Sequence, residues 1–222
     1  SFVYDPASGT KMVAGTNQNL ITTFTPTDGS NYNAIKDTVK INVTTANPVI
    51  TWANPSDIVY NTLLSSTQLN ATADVAGSFV YDPAIGVKLS AGTNQNLITT
   101  FTPIDGSNYN VIKDTVKINV TKANPVITWS NPADIVYGTL LSATQLNATA
   151  DVAGSFVYDP ASGTKMVAGS NQNLITTFTP TDGSNYNAIK DTVKINVMKA
   201  NPVITWSNPA DIVYNTILSP PH

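Results

Sequence analysis

The chain contains no cysteine, no arginine and no glutamate, and its single histidine is the last residue, His222. Without cysteine there is no disulfide, no cysteine nucleophile and no thiolate metal site. An enzyme of the serine or threonine type needs a base beside its nucleophile, and a lone terminal histidine is a poor source of one. The sequence therefore predicts a protein that is not an enzyme, with no catalytic and no cofactor-binding residues.

Charged residues are also scarce, because lysine and aspartate together make up 11% of the chain, where about 25% is usual. The net charge is -3 and the lysines are dispersed, so the sequence offers no basic patch for nucleic acid. No apolar run reaches the ~18 residues of a membrane span. We therefore expect no nucleic-acid partner and no membrane span in this segment, and a surface covered largely by neutral polar side chains.

What the sequence has in abundance is repetition. Two six-residue phrases recur with a period of 77 residues. Ser-Phe-Val-Tyr-Asp-Pro begins at Ser1, Ser78 and Ser155, and Asn-Pro-Val-Ile-Thr-Trp begins at Asn47, Asn124 and Asn201. Each repeat of this kind is expected to fold as one structural unit. The period predicts a partial repeat at 1–45 that lacks its first strands, complete repeats at 46–122 and 123–199, and a partial repeat at 200–222 that holds first strands only.

Within a complete repeat the pattern is that of short β-strands bounded by proline, glycine and asparagine. Residues 67–74 alternate, which places Leu69, Ala71 and Ala73 inward and Gln68, Asn70 and Thr72 outward. The last strand, within 109–121, likewise places Val116, Ile118 and Val120 on one face. Further short strands are predicted at 88–92 and 97–103, and no stretch has helical apolar spacing. The fold class is therefore all-β, with about seven strands in each sandwich.

Differences between copies separate surface from core, because a position that exchanges polar for apolar residues is unlikely in a core. This assigns four pairs to the surface: Ser8 and Ile85, Thr10 and Val87, Val13 and Ser90, Thr27 and Ile104. Positions that keep their volume and apolarity are assigned to the core: Met12, Leu89 and Met166, and Leu63, Leu140 and Ile217. One further position tolerates positive φ and predicts a turn: Asn61, Gly138 and Asn215.

Several motifs of the repeat carry a family resemblance. They are Gly77-Ser-Phe-Val-Tyr-Asp-Pro-Ala84, Ser90-Ala-Gly92, Leu97 through Phe101-Thr-Pro103, Asp105 with Asn108-Tyr109-Asn110, and Lys117-Ile-Asn-Val120. Together they resemble the MBG-type, immunoglobulin-like repeats of large microbial surface proteins, along the whole length of each repeat. The resemblance implies tandem immunoglobulin-like sandwiches, an extracellular or cell-surface location, and use as the stalk of an adhesin. It implies no particular ligand.

The segment Asp105-Gly-Ser-Asn-Tyr109 is also similar to the tyrosine corner of immunoglobulin domains. That similarity implies that Tyr32, Tyr109 and Tyr186 are largely buried, with each hydroxyl bonded to backbone or to the nearby aspartate. The immunoglobulin disulfide is not implied, because Val111 stands where the second cysteine would fall.

Three tryptophans lie next to the short connections between repeats: Trp52, Trp129 and Trp206. Either they cover the joint between neighbouring domains or they form a platform for stacking sugars, and we favour the joint. The connection Thr121-Lys-Ala-Asn124 has no flexible Gly-Ser tract. The units are therefore expected to lie end to end as a semi-rigid rod.

Calcium is the best chemical alternative, because each complete repeat has five aspartates and calcium takes oxygen ligands. Asp57, Asp74 and Asp105 are the candidate ligands. No Asp-x-Asp-x-Asp run is present, and aspartate is also a common turn residue. We therefore interpret these residues as turn formers and expect no metal.

These observations favour a structural stalk or spacer in a large surface adhesin or extracellular fibre, with neighbouring repeats of the same polypeptide as its partners. The first alternative is a module that binds a glycan or a host ligand through avidity. The second is a fibre subunit that shares strands with other copies of itself, end to end. The two partial repeats together lack the equivalent of 67–77, so we favour a segment of a longer repeat array over a polymerising monomer.

Overall fold

The computed structural model describes residues 1–218, and this part of the chain is all-β with no helix. No described helix could therefore cross a membrane. The fifteen strands are β1 Phe2–Asp5, β2 Gly15–Phe24, β3 Ile35–Val43, β4 Ile50–Thr51, β5 Ile58–Val59, β6 Thr72–Ala73, β7 Gly77–Asp82, β8 Gly92–Pro103, β9 Ile112–Thr121, β10 Ile127–Thr128, β11 Ile135–Val136, β12 Thr149–Ala150, β13 Gly154–Asp159, β14 Gly169–Pro180 and β15 Ile189–Met198. The all-β class predicted from the sequence is confirmed.

The chain forms two compact units. The first holds Ser1–Asn124 together with the loop Asp182–Asn187, and the second holds Pro125–Thr181 and the chain after that loop. The loop Asp182–Asn187 is part of the second complete repeat in the sequence, but its contacts place it in the first unit.

The first unit contains one complete sheet of four strands in the order β5-β9-β8-β7. Strand β5 pairs with β9 in parallel, and the other neighbours are antiparallel. A smaller sheet consists of β4 and β6. Its strands are short because prolines flank β4 on both sides and cannot donate to a sheet. Strand β8 carries a bulge between Gly92 and Gln95.

The core of this repeat lies on one face of the four-stranded sheet. Its buried members come from strands β5, β8 and β9 and from the segment between β5 and β6: Ile58, Leu64, Leu69, Leu97, Val116, Ile118 and Val120. Phe101 is also fully buried, and its ring packs at 4.7 Å against Phe79. The predicted inward alternation of Val116, Ile118 and Val120 is confirmed, and Leu69 and Ala71 are buried as predicted.

Two strand predictions are wrong. Residues 67–71 are not strand: they form a turn in which the Ser65 hydroxyl and N–H both donate to Gln68 Oε1, and only β6 remains. Gln68 is buried rather than outward, because its side chain closes this turn. The segment 88–92 contributes a single bridge between Lys88 and Leu63. A complete repeat therefore has six strands, not seven.

One set of predicted core positions is also wrong. Leu63 is 55% exposed, whereas its neighbour Leu64 is 1% exposed and belongs to the core. Leu140 and Ile217 are exposed as well. Leu63 forms a β-bridge with Lys88, and this pairing directs the Leu63 side chain outward and the Leu64 side chain inward. An apolar residue of constant size at this position therefore does not indicate burial. Among the surface assignments, Val13, Ile85 and Ile104 are exposed as predicted.

The second unit repeats this arrangement with its own residues. Its four-stranded sheet has the order β11-β15-β14-β13 and its small sheet pairs β10 with β12. The core cluster contains the equivalent residues, including Leu141, Leu174 and Ile195. Met166 is buried in it, as predicted.

The partial repeats differ from the complete ones. Residues 1–45 form a three-stranded sheet in the order β1-β2-β3. Residues 200–218 contain no strand and are exposed throughout. The rest of the predicted last segment, 219–222, lies outside the described residues, and His222 with it.

Candidate functional site

A cluster of polar and aromatic side chains in the first unit lies where the loop Asp182–Asn187 contacts the repeat 46–122. We call the residues that receive this loop the loop-binding cluster: Tyr60, Asn61, Lys88 and Ala91. Tyr60 follows β5, Asn61 forms the turn after it with φ of 78°, and Ala91 precedes β8. The turn predicted at Asn61 is confirmed, and it places Tyr60 and Asn61 beside each other at the surface.

Tyr186 of the loop contacts two members of this cluster, Tyr60 and Asn61, and Lys88 contacts both of these in turn. Its ring meets the Tyr60 ring at 5.3 Å in an edge-to-face arrangement, and its hydroxyl accepts a hydrogen bond from Asn61 Nδ2 at 3.0 Å. Lys88 Nζ lies 4.7 Å from the Tyr60 ring centre and donates to Asn61 Oδ1 at 3.2 Å. Edge-to-face aromatic pairs contribute about 0.5–1.5 kcal/mol beyond their buried area, which is similar to the net contribution of one hydrogen bond.

A backbone hydrogen bond fixes the loop at a second point. The N–H of Ala91 donates to Asn185 Oδ1 at 2.8 Å. The same bond is present one period earlier in the chain, where the N–H of Ala14 donates to Asn108 Oδ1 at 2.7 Å. The contact therefore recurs with the repeat.

The loop is shaped for this contact by its own sequence. Asn185 donates from its N–H to Asp182 Oδ1 at 3.2 Å and from Nδ2 to Asp182 Oδ2 at 2.8 Å. Such side-chain to backbone bonds are typical of aspartate turns. Because Nδ2 is held by the aspartate, Oδ1 of Asn185 points outward and is free to accept the bond from Ala91.

The aspartates of these loops are held in the charged form. The Asn108 side-chain amide lowers the pKa of Asp105 below its ordinary value of 3.8, and Asn31 does the same for Asp28. In Asp182 the Asn185 amide again lowers the pKa, and Lys122 adds a smaller contribution. A carboxyl whose folded pKa is lowered stabilises the loop above its unfolded pKa, and this stabilisation is lost as the pH falls through the folded pKa.

We predict that Asn108→Ala raises the pKa of Asp105 back toward its ordinary value, because the largest cause of the shift is removed. Carbon-detected NMR titration of the aspartate carboxyl groups measures this change. Asp28 in the same variant is the internal control and should keep its lowered pKa. An unchanged Asp105 pKa would show that the amide is not the cause.

The three tyrosines of the proposed tyrosine corner do not behave as the similarity implied. Tyr109 and Tyr186 are half-buried, and the Tyr186 hydroxyl bonds to the Asn61 side chain, not to backbone or aspartate. Tyr32 is 66% exposed. Tyr109 bridges to Ala46 and Tyr186 to Ala123, whereas Tyr32 has no such bridge among the described residues. The expected burial of all three is therefore corrected.

The tryptophans are placed differently from the prediction that they cover a joint. Trp52 packs against the core of its own repeat, meets Tyr81 at 5.5 Å and donates from Nε1 to Gln68 O at 3.0 Å. Trp129 makes the equivalent contacts in the second unit. Trp206 is exposed. Packing inside the repeat thus occupies the rings of Trp52 and Trp129.

The candidate calcium ligands are separated from one another. Asp57 accepts from Asn119 Nδ2 at 2.9 Å, Asp74 accepts from the Val49 N–H at 2.8 Å, and Asp105 is bonded in its own turn. Within residues 1–218 the structure brings no three acidic, histidine or cysteine side chains together in a metal-binding group. The aspartates are thus used as hydrogen-bond acceptors that close turns.

We predict that EDTA leaves the melting temperature unchanged, because these carboxylates are already engaged by amides and backbone. Differential scanning calorimetry of the chain with calcium and then with EDTA checks this. Ligand binding to the native state raises apparent stability, so a fall of about ten degrees on chelation would instead assign calcium to these residues.

The sequence prediction missed the loop-binding cluster itself. Its signal was present, since Tyr60, Tyr137 and Tyr214 are identical in every copy although they stand next to a turn. An aromatic residue kept beside a turn is a candidate for contact with another element. Which element it meets depends on the loop Asp182–Asn187, far away in the sequence.

No protein-family model matches the chain. No curated protein matches it significantly. Among solved structures it is similar to the fibronectin(III)-like modules of Clostridium thermocellum CbhA, with 15% identity and a TM-score of 0.27 over 72% of this chain and 100% of that one. It is also similar to Drosophila N-cadherin EC1-3, with 13% identity and a TM-score of 0.26 over 82% of this chain and 77% of the other. The strand pairing and the buried cores establish the all-β architecture of the chain.

Proposed function

We propose that the chain is a set of immunoglobulin-like spacer repeats in the stalk of a large microbial surface adhesin or extracellular fibre, and that it has no catalytic role. The stalk extends a separate binding region away from the cell and resists unfolding. Its location at the cell surface belongs to the same proposal and is supported by the family resemblance of the repeat motifs.

The observation that carries this proposal is the recurring bond from a backbone N–H to a loop asparagine. Ala14 donates to Asn108, and Ala91 donates to Asn185, at the same positions of successive repeats. A spacer built from nearly identical repeats uses the same contact at each period, because each repeat contacts only its neighbours in the chain. A binding module displayed for avidity needs no contact of this kind.

The strand order also suits a load-bearing role. The strand β5, near the start of the repeat, pairs in parallel with the last strand β9, and the Tyr60 N–H donates to Thr121 O at 2.8 Å. When two parallel neighbours are pulled from opposite ends of the repeat, their hydrogen bonds are loaded together rather than one after another. The second unit has the same pairing between β11 and β15.

Single-molecule stretching tests the proposal. We expect two unfolding peaks, one for each complete repeat. Their separation should be on the order of 250–280 Å, from the unravelling of 77 residues at ~3.3–3.6 Å each, minus the length of the folded repeat. Tyr60→Pro removes the N–H that donates to Thr121 O in one repeat, so one peak should fall in force while the other, from the unmodified repeat, stays unchanged. Tyr60→Ala, which keeps this N–H, is the matched control. Unfolding forces of both repeats near the noise level of the instrument would contradict a mechanical role. Two peaks of unchanged force in the variant would contradict it as well.

A further inference from the structure

Strand β7 of the first complete repeat is an edge of its sheet. The strand order is β5-β9-β8-β7, so β7 has a neighbour on one side only. Within residues 1–218 no other strand or bridge pairs with Gly77–Asp82. Strand β13, Gly154–Asp159, has the same position in the second unit. We call the unpaired side of β7, and likewise that of β13, the open edge of its repeat.

The hydrogen bonds between β7 and β8 show which backbone groups of β7 are already used. The Ile104 N–H donates to Ala76 O at 3.0 Å, and the Thr99 hydroxyl donates to Val80 O at 3.3 Å. Alternate residues of an antiparallel strand direct their N–H and C=O groups to the same partner, so the even-numbered residues from 76 to 82 face β8. The second unit has the two equivalent bonds.

The odd-numbered residues of β7 direct their N–H and C=O groups to the open edge. These residues are Gly77, Phe79 and Tyr81. In the part of the chain from 1 to 218 these backbone groups have no hydrogen-bond partner. A row of unpaired N–H and C=O groups is a template for another strand, so each complete repeat can add a strand at its open edge.

The features with which proteins protect an edge strand are missing from β7. Such features are lysine, proline, a bulge or a very short strand. β7 has six residues with no lysine and no proline, and its pairing with β8 keeps one register from Gly77 to Asp82. Its one charged residue, Asp82, ends the strand, and Val80 on the outer face is 68% exposed. The opposite edge, β5, is only two residues long.

We propose that the open edge of a complete repeat pairs antiparallel with the open edge of a second copy of this chain. The partner is a second copy because an antiparallel pair of identical strands has two-fold symmetry, so the outward N–H groups of each copy meet the outward C=O groups of the other. Charge does not oppose this pairing. The net charge is only -3, and it is a net charge far from zero that keeps proteins apart.

The outward groups also select the register of the pairing. With Phe79 opposite Phe79 of the second copy, Gly77 lies opposite Tyr81, and every outward N–H and C=O group is paired. A register with Phe79 opposite Tyr81 instead brings Gly77 opposite Pro83, which has no N–H to donate. The first register also places the two Phe79 rings on the same face, and aromatic pairs across strands stabilise a sheet.

On the outer face this register places Val80 opposite Ser78 of the second copy. Asp82 lies opposite Ala76, so no two carboxylates face each other, and like charges in such positions would destabilise a sheet. Ser78 and Val80 are both exposed. Charged side chains can therefore be introduced at these two positions without changing the core of the repeat.

Sedimentation velocity of the whole chain tests the association over roughly 5 to 500 µM, the range suited to a small interface. The average mass should rise with concentration. It should rise beyond the mass of a dimer, because β7 and β13 of one chain can each pair with a different copy.

Hydrogen exchange of single amides tests which groups form the interface. The Phe79 and Tyr81 N–H groups should exchange rapidly in the dilute chain and about tenfold or more slowly in the concentrated chain, because pairing protects them. The Val80 N–H, which faces β8, should exchange slowly at both concentrations and is the internal control.

Charged variants test the register, and each is made at the equivalent positions of all copies of the repeat so that no unchanged open edge remains. Ser78→Lys with Val80→Lys places lysine opposite lysine and should raise the midpoint concentration about tenfold or more. Ser78→Lys with Val80→Asp places lysine opposite aspartate, and association should be kept or strengthened. Val111→Lys with Thr115→Lys is the control for added charge, since both residues are exposed and lie beside or on β9; association should be unchanged.

A monomer at every concentration would overturn the proposal. So would association in which the Phe79 and Tyr81 N–H groups still exchange rapidly, and so would association that Ser78→Lys with Val80→Lys leaves unchanged. Loss of association in the variant with Ser78→Lys and Val80→Asp would overturn it as well, because the register is part of the proposal. None of these results bears on the stalk role, which the force measurement tests separately.

Discussion

Phe101→Ala is expected to destabilise the first complete repeat by about 3 to 5 kcal/mol, which is a large share of the stability of a small domain. The side chain is fully buried on β8, and its ring packs against Phe79 on the neighbouring strand β7. Removing it loses the transfer free energy of the ring and leaves a cavity that the surrounding sheet cannot close, because the main-chain positions are fixed by pairing on both sides.

Chemical denaturation, monitored by hydrogen exchange of the amides of each repeat, measures this loss of stability for the two repeats separately. Phe24→Ala is the matched control, since Phe24 occupies the same position in the partial repeat but is only half-buried, and its cost should be clearly smaller. The second complete repeat, with its intact Phe178, should keep its exchange protection in the Phe101 variant. A loss below about 1 kcal/mol would mean that the inward face of β8 is assigned wrongly.

Gly77→Ala is the second large effect that we expect, although it adds a single methyl group. A Cβ at Gly77 would overlap the Phe101 ring at Cζ and would lie 2.5 Å from the carbonyl oxygen of Thr102. The oxygen belongs to the paired backbone of β8 and cannot move without breaking the β7–β8 ladder. Overpacking of this kind costs about 1 to 3 kcal/mol and occasionally more.

Gly106→Ala is the matched control for this prediction, because a Cβ at Gly106 meets no atom within 4 Å. Its effect should stay within about 0.5 kcal/mol. Thermal denaturation of both variants with circular dichroism compares them directly. Gly154→Ala in the second unit should behave like Gly77→Ala, since its Cβ would meet Phe178 and Thr179 in the same way. Equal stability of the Gly77 and Gly106 variants would show that β7 can shift away from Phe101.

Residue patterns alone were sufficient to predict the all-β class and most of the inner face of each sheet. Alternation is a local property, and a strand has a period of two, so Val116, Ile118 and Val120 could be placed inward from spacing alone. Positions that exchange polar for apolar residues between copies, such as Ile104, were correctly placed outside for the same local reason.

The short connecting segments were less predictable, because neighbouring positions compete for the core. Leu63 and Leu64 are both leucine, and a one-residue change of register exchanges their sides. The bridge from Leu63 to Lys88 decides that Leu64 is buried. Gln68 reads as a polar outward residue, yet its side chain is buried because it closes a turn onto Ser65.

Only the tertiary structure decided which distant elements meet. Trp52 was expected at a joint because it stands beside a connection in sequence, but its indole donates to Gln68 O and packs in its own core. The loop-binding cluster was not predicted, because Tyr60 and Tyr186 lie far apart in the chain and a tyrosine kept beside a turn does not show which element it meets. Local spacing fixes the direction of a side chain, whereas its partner is set by how the strands and loops pack together in space.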